Sequence, residues 1–250
     1  MSSHLAIVLS RRDFGESDQI IFLYTLERGK VEALAKGVKK IISKNSSALE
    51  PFCLIEVEFA ACHHTKNFGV VVGKELDRLI RARAINIFAG IRGDLDKSFM
   101  AQYAVALVNK MAPAEEKDDG IFSLLFDWLA WLEKAETAGT GLLYGFIVKL
   151  FKRFGFEPEP SKCVACGQLP AVGDYVFYPM GGGRVCSVCR QARLGERFVK
   201  LDRQDARDFA ALADGKWARA GEVRSENLFV FITEFIQCHS ESKLAYFAGI

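Results

Sequence analysis

Apolar and polar residues alternate in short runs through the first 75 residues, a pattern typical of β-strands with one buried face. In LIEVEF, residues 54–59, one face carries Ile55, Val57 and Phe59 and the other carries Leu54, Glu56 and Glu58. Five runs rich in β-branched and aromatic residues predict strands over residues 5–9, 20–25, 31–35, 54–60 and 69–72. Five short strands in this length predict a small, partly open barrel of the OB type.

From about residue 80 the apolar period changes to that of an α-helix. Three amphipathic runs predict helices over residues 96–112, 121–135 and 141–154, with Asp96 as the N-cap of the first. We expect these helices to form a bundle. Pro158 and Pro160 end it, since proline cannot continue a helix. A last helix begins near residue 226, and its mixed apolar face can return to the bundle.

These patterns predict a multidomain α+β chain. An OB-fold, nucleic-acid-binding β-barrel is expected over residues 1–78, followed by an α-helical bundle over residues 79–160. A cysteine segment occupies residues 161–192, and C-terminal helices over residues 193–250 are expected to pack on the bundle.

Net charge and the lengths of the apolar segments indicate where the protein is located and how it could bind a nucleic acid. The 250 residues carry a formal net charge of only +2, so any nucleic-acid surface must come from cations gathered on one face. The N-terminal apolar run is too short for a signal peptide, and no stretch approaches the ~20 apolar residues that span a bilayer. We therefore expect a cytoplasmic protein, in which seven cysteines act as thiols or metal ligands rather than disulfides.

Four of the cysteines form two Cys-x-x-Cys pairs: Cys163, Cys166, Cys186 and Cys189. Each pair can wrap one side of a tetrahedral ion, and a glycine-containing hairpin between the pairs can bring them together. Four thiolates close the coordination shell, so the pattern predicts one structural Zn²⁺ per chain. A catalytic metal, a redox pair and a metal-free segment are the alternatives.

Motifs for catalysis are weak by comparison. The triplet His239, Ser240 and Glu241 matches the H-x-E of nucleobase deaminases, but it follows the cysteine pairs instead of preceding them. The segment GVVVGKE, residues 69–75, lacks one spacer residue of a phosphate-binding loop and places Glu75 where a Ser or Thr is needed. We therefore predict a protein that is not an enzyme and has no catalytic residues.

Positive charge is concentrated in two groups. A stretch after the third strand holds Lys36, Lys39, Lys40 and Lys44, with Arg11 and Arg12 ending the first strand nearby. A second group follows the glycine turn of the cysteine segment and includes Arg184, Arg190 and Arg193. A solvated loop would explain the lysines alone. Two basic groups on two modules fit an extended polyanion better, and these nine residues are the predicted DNA-binding set.

Several segments together resemble the RecO family of bacterial recombination mediators and DNA repair proteins. They are GESDQIIFLYTLERGKVEALAKGVKK, LEPF, FGFEPEPSKCVACG and GGGRVCSVC, in this order over essentially the full chain. The resemblance implies an N-terminal OB-fold, a helical domain and a zinc-bearing segment. It also implies a DNA-contacting role for Lys36, Lys39 and Lys40 and a zinc-ligand role for the four cysteines.

As a function, the resemblance implies binding of single- and double-stranded DNA, annealing of complementary strands, and loading of RecA onto gapped DNA. The implied partners are RecR, the C-terminal tail of the single-stranded-DNA-binding protein and, indirectly, RecA, with no membrane involved and a nucleoid-associated location. Two other classes stay open from the residues alone, namely a zinc-containing OB-fold RNA-binding factor and a zinc enzyme acting on nucleobases.

Overall fold

A computed structural model of the chain describes residues 3–39, 46–60, 76–171, 176–214 and 216–239. The chain divides into two compact units, Met1–Glu136 and Thr137–Ile250. This division cuts through the three-helix bundle predicted over residues 79–160, because its first two helices belong to the first unit and its third to the second.

A closed five-stranded barrel forms the N-terminal part of the first unit. Its strands are β1 (Ser3–Phe14), β2 (Asp18–Thr25), β3 (Gly29–Ala35), β4 (Leu54–Phe59) and β5 (Asp77–Asn86), and a short 3-10 helix spans Ser46–Leu49. They pair around the barrel in the order β1-β2-β3-β5-β4; only β3 and β5 run parallel. This arrangement confirms the predicted OB-type barrel.

The barrel follows from the alternation in the sequence. Inward side chains such as Val8, Leu23, Val31 and Ile55 are buried and form one core cluster. The alternation is clearest on β3 and β4, where Lys30, Glu32, Glu56 and Glu58 lie between buried residues and are partly exposed. Each fully buried aliphatic side chain of this size contributes about 1.5–3 kcal/mol of hydrophobic stabilisation. The core therefore holds together strands that are distant in the sequence.

The fifth strand of the barrel occupies a segment for which no strand was predicted. β5 spans Asp77–Asn86 and so runs past residue 78, the predicted domain end, while the strand predicted over residues 69–72 lies outside the described residues. Only Leu79 and Ala82 of β5 join the barrel core. Arginines and exposed isoleucines occupy most other positions, so the strand lacks a continuous apolar face that its sequence could have revealed.

Three helices complete the first unit: α1 (Ala89–Arg92), α2 (Leu95–Met111) and α3 (Asp119–Lys134). The N-cap of α2 is Asp94 rather than the predicted Asp96, and its carboxylate accepts a hydrogen bond from the Lys97 N–H at 3.1 Å. The Glu133 carboxylate of α3 accepts hydrogen bonds from two backbone N–H groups at the start of α1. No helix in the described ranges is both long and apolar enough to cross a membrane.

The last turn of α2 and the α2–α3 connection are held against the barrel at the start of β3. Lys30 Nζ donates to the Asn109 carbonyl at 2.9 Å, and the Glu115 N–H donates to the Lys30 carbonyl at 2.8 Å. Gly29 has a φ of 69°, and a Cβ at this position would lie 2.0 Å from the Glu116 carbonyl oxygen. Glycine is therefore required where β3 begins, which explains the Arg-Gly-Lys sequence at the β2–β3 turn.

In the second unit, α4 (Thr140–Arg153) packs against the later helices α6 (Arg203–Asp214), α7 (Trp217–Glu222) and α8 (Glu226–His239). Gly141 lets α4 approach α7 closely, since a Cβ there would lie 2.3 Å from the Ala220 carbonyl oxygen. The cysteine segment contributes β6 (Val176–Tyr178), β7 (Gly183–Arg184) and α5 (Ser187–Gln191), and β8 (Val199–Lys200) follows it. These strands form a small sheet in the order β7-β6-β8.

Candidate metal centre and nucleic-acid interface

The four paired cysteines meet at one point. The sulfurs of Cys163, Cys166, Cys186 and Cys189 all lie within 4.8 Å of one another, and the Cys166 and Cys186 sulfurs are 3.9 Å apart. Four sulfurs around a tetrahedral ion with Zn–S bonds of about 2.3 Å would be about 3.8 Å apart. The cluster therefore has the dimensions needed to hold a metal ion.

Turns at both pairs create this geometry. After the first pair, Gly167 adopts a φ of 73° and its N–H donates to the Cys163 carbonyl at 2.8 Å, which folds the chain into a tight loop. The second pair follows the β6–β7 hairpin, whose turn contains Gly182 with a φ of 77°. The Val164 N–H donates to the Arg184 carbonyl at 2.9 Å and ties the two loops together.

The thiols influence one another's ionisation. Burial opposes the charged form of Cys163, but backbone N–H groups of Cys186, Ala165 and Cys166 together lower the pKa of its thiol to about 6. The neighbouring Cys186 and Cys166 thiols raise the pKa of Cys189 to about 12. Four adjacent thiolates repel one another, so a bound cation is required for all four to ionise.

His239, the first residue of the deaminase-like triplet, lies outside the cysteine cluster and makes packing and hydrogen-bonding contacts. His239 Nε2 lies 3.0 Å from the Pro179 carbonyl oxygen, and its ring packs 4.5 Å from that of Phe235. Ser240 and Glu241, the other two residues of the deaminase-like triplet, lie outside the described residues.

The second basic group does not form a uniform cationic surface. Arg184 is only 8% exposed, and its guanidinium donates to the Ala171 carbonyl at 2.9 Å. Arg193 donates to the Cys189 carbonyl at 2.9 Å and lies near the Tyr178 ring. Arg190 is half-buried on α5. These contacts give Arg184 and Arg193 roles in holding the cysteine segment, and their DNA contacts stay a prediction.

The lysine stretch begins where β3 leaves the barrel, and a tight turn holds its first residues. Gly37, with a φ of 64°, donates its N–H to the Asp18 carboxylate at 2.7 Å, and the Lys39 N–H donates to the Ser17 carbonyl at 3.0 Å. Lys36 and Lys39 are on this turn, whereas Lys40 and Lys44 lie outside the described residues.

Carboxylates accompany several of the predicted DNA-binding cations. Lys39 Nζ lies 2.8 Å from Asp13, and this hydrogen bond is the main cause that lowers the pKa of the Asp13 carboxyl. Arg11 forms an ion pair with Glu50 at 2.6 Å. The Arg12 guanidinium lies 5.9 Å from the Phe22 ring centroid. A polyanion that used Arg11 or Lys39 would thus compete with an existing exposed ion pair.

Sequence reasoning missed the arginines of β5, namely Arg78, Arg81 and Arg83, all of which are exposed. Arg83 donates two hydrogen bonds to Glu56 on β4, at 2.6 and 2.9 Å, and this contact lowers the pKa of the Glu56 carboxyl. The signal in the sequence was DRLIRAR, in which arginines recur between apolar residues. These arginines were not predicted to bind DNA because no strand was predicted in this segment.

Comparison with known proteins covers both units. The family model described as Recombination protein O N terminal matches residues 1–88, and that described as Recombination protein O C terminal matches residues 92–245. A DNA repair protein RecO from Dehalococcoides mccartyi is 33% identical over 190 residues, which are 76% of this chain and 70% of the relative. The protein of the same name from Pelotomaculum thermopropionicum is 28% identical over 248 residues, 97% of this chain and 91% of the relative.

Proposed function

Because the chain belongs to the RecO family of bacterial DNA repair proteins, we propose that it is a recombination mediator that binds single- and double-stranded DNA. The match of both family models, which together cover nearly the whole chain, carries this proposal. The family's members are named for DNA repair and recombination and not for a catalysed reaction. The finer activity is annealing of complementary strands and, with RecR, assistance in loading RecA onto gapped DNA.

The physical basis is neutralisation of phosphate charge by the barrel. Lys36 and Lys39 lie just after the end of β3. Arg12 lies on β1, which pairs with β2, the neighbour of β3 in the barrel. Cations in this position release counterions from a DNA strand and reduce the repulsion between two strands that must approach each other to anneal. A net charge of +2 makes this a local effect of one face and not of the whole molecule.

For the metal centre, we propose one structural Zn²⁺ held by the four cysteines, whose sulfur distances and donor type fit this ion. Zinc with four thiolates supplies no open coordination position, so its contribution is to fold the cysteine segment. The chain's own residues, Arg193 through the Cys189 carbonyl and Val164 through the Arg184 carbonyl, hold the ligand loops in place.

The proposed partners are RecR, the acidic tail of the single-stranded-DNA-binding protein and, indirectly, RecA, with action at the nucleoid in the cytoplasm. Deleting the barrel is a poor way to locate the tail's binding site. Lys30 and Gly29 of the barrel contact the α2–α3 connection, so a truncated chain would lose these contacts as well. Binding to partners is better measured with point variants of the full chain.

DNA binding is tested by fluorescence anisotropy on labelled single-stranded oligonucleotides in about 50 to 200 mM salt. Log affinity should fall with log salt by about 0.7 per neutralised phosphate, and the variant with Lys39, Lys40 and Lys44 replaced by Ala should flatten this slope by up to about 2 units. Strand annealing should weaken in parallel. Failure of the wild-type chain to bind, or preference for an RNA competitor of the same sequence, would contradict the proposed function.

A gain of affinity is expected for Asp13→Asn. The Asp13 carboxylate holds Lys39 Nζ at 2.8 Å, so its removal frees this cation and removes a repulsive charge from the proposed path of the phosphates. We expect single-stranded DNA to bind roughly two- to fivefold more tightly at low salt. The matched background is Lys39→Ala, in which Asp13→Asn should give a clearly smaller gain. An equal gain in both backgrounds would show that Lys39 plays no part.

A further inference from the structure

A cleft lies on the barrel surface where the parallel strands β3 and β5 end their pairing. Its volume is about 320 Å³, and its described lining consists of Ala35, Lys36, Val38, Ala60, Arg78, Leu79 and Ile80. Sites for small organic groups begin at roughly 300 Å³, so the cleft is large enough for a unit of about nucleotide size. The sequence indicated only Lys36 as a DNA-contacting residue here, because no strand was predicted at β5.

The strand register explains how an apolar side chain comes to line this cleft. Between β4 and β5, Phe59 pairs with Leu79 and Glu58 pairs with Arg81, so Ile80 is an extra residue on β5. Such a bulge redirects side chains away from the regular alternation. Ile80 follows the buried Leu79, faces outward and is 43% exposed.

The described lining of the cleft carries charge of one sign. Two of its described lining residues, Lys36 and Arg78, are cationic and exposed, and none is acidic. The nearest carboxylate in the sequence, Asp77, forms an ion pair with Arg28 at 2.8 Å and is only 11% exposed. Two exposed cations in the described lining favour an anionic group in the cleft.

We propose that this cleft binds one nucleotide unit of a single-stranded polynucleotide, with its phosphate at Lys36 and Arg78 and its sugar or base against Ile80. The inference rests on the proposed DNA-binding function and assigns Arg78 and Ile80 to it. A duplex stacks and pairs its bases internally, whereas a single strand offers apolar faces that can contact an exposed isoleucine. The combination of cations and an apolar floor thus selects single strands.

The test uses the full chain and three probes: a single-stranded oligonucleotide, its duplex and inorganic polyphosphate. Arg78→Ala should reduce the salt slope for the single strand by about 0.7, the contribution of one phosphate. Ile80→Ser should weaken single-strand binding about three- to tenfold, because it removes apolar contact, while leaving duplex and polyphosphate binding within twofold. Melting curves establish that both variants are folded.

Arg81→Ala is the matched control, because it removes the same charge from the same strand at an exposed position outside the cleft lining. It should leave the single-strand slope nearly unchanged. Equal decreases in the salt slope for Arg78→Ala and Arg81→Ala would contradict the proposed cleft site. An Ile80→Ser variant that binds all three probes like wild type would also contradict it. In both cases the chain would still bind DNA. Absence of wild-type binding to any DNA would overturn the proposed function itself.

Discussion

Replacing Cys163 with serine is expected to release the proposed Zn²⁺ and to unfold the cysteine segment while the barrel stays folded. Cys163 is the most buried of the four clustered cysteines, and its sulfur also accepts a backbone hydrogen bond from Cys186 at 3.4 Å. In such segments the free energy of metal binding stabilises the folded state, and it is about 10–16 kcal/mol for structural zinc peptides. The little sheet β7-β6-β8 is too small to persist without it.

Metal content measured by elemental analysis should fall from one zinc per chain to none in Cys163→Ser. Limited proteolysis should then cut within residues 161–192, and the fragment that contains the barrel should survive. Cys238→Ser is the control, because Cys238 is an exposed thiol outside the cluster, and it should keep both the metal and the protection. Full zinc content in Cys163→Ser would contradict the four-thiolate centre.

Replacing Gly29 with alanine is expected to destabilise the first unit by roughly 3–5 kcal/mol. The new Cβ would lie 2.0 Å from the Glu116 carbonyl oxygen, so the β2–β3 turn and the α2–α3 connection would have to separate. The positive φ of 69° adds strain of its own. The decrease in the free energy of unfolding is measured by urea denaturation, with a spectroscopic signal that reports on the barrel.

Gly15→Ala separates the two causes. Gly15 has a similar φ of 63°, but no atom lies within 4 Å of the position of its Cβ. This variant should lose only about 1–2 kcal/mol, the cost of the left-handed conformation. Equal losses in the two variants would mean that the contact with Glu116 does not contribute to stability.

Local patterns predicted much of this fold. Strands β3 and β4 alternate between buried and partly exposed residues over part of their length, and β1 and β2 carry runs of buried apolar residues. Helices α2 and α3 each bury one apolar stripe, whereas α4 is apolar and buried on nearly all sides. The cysteine cluster was predictable because ligand spacing is written directly into the sequence. In each case the pattern that signals the element lies within one short segment, even where the contacts it makes are distant in the sequence.

Features that depend on tertiary pairing were not predictable in the same way. Strand β5 is stabilised by its partners on β3 and β4, and only two of its side chains enter the barrel core. Arg184 seemed a surface cation, but the segment around the cysteines buries it against the Ala171 carbonyl. The ion pair of Lys39 with Asp13 joins residues on different strands and turns. Only three-dimensional proximity reveals these relations.

Strand β5 closes the barrel between β3 and β4, so its place in the sequence determines when the barrel can form during synthesis. Strands β3 and β4 end at Ala35 and Phe59, yet the strand that joins them begins at Asp77, and the contact beneath Gly29 requires Glu116. At about 5–20 residues per second, a nascent chain carries unpaired strand edges for several seconds before the barrel can close. The ribosome-bound intermediate is therefore the stage at which this protein is most exposed to aggregation and to chaperone binding.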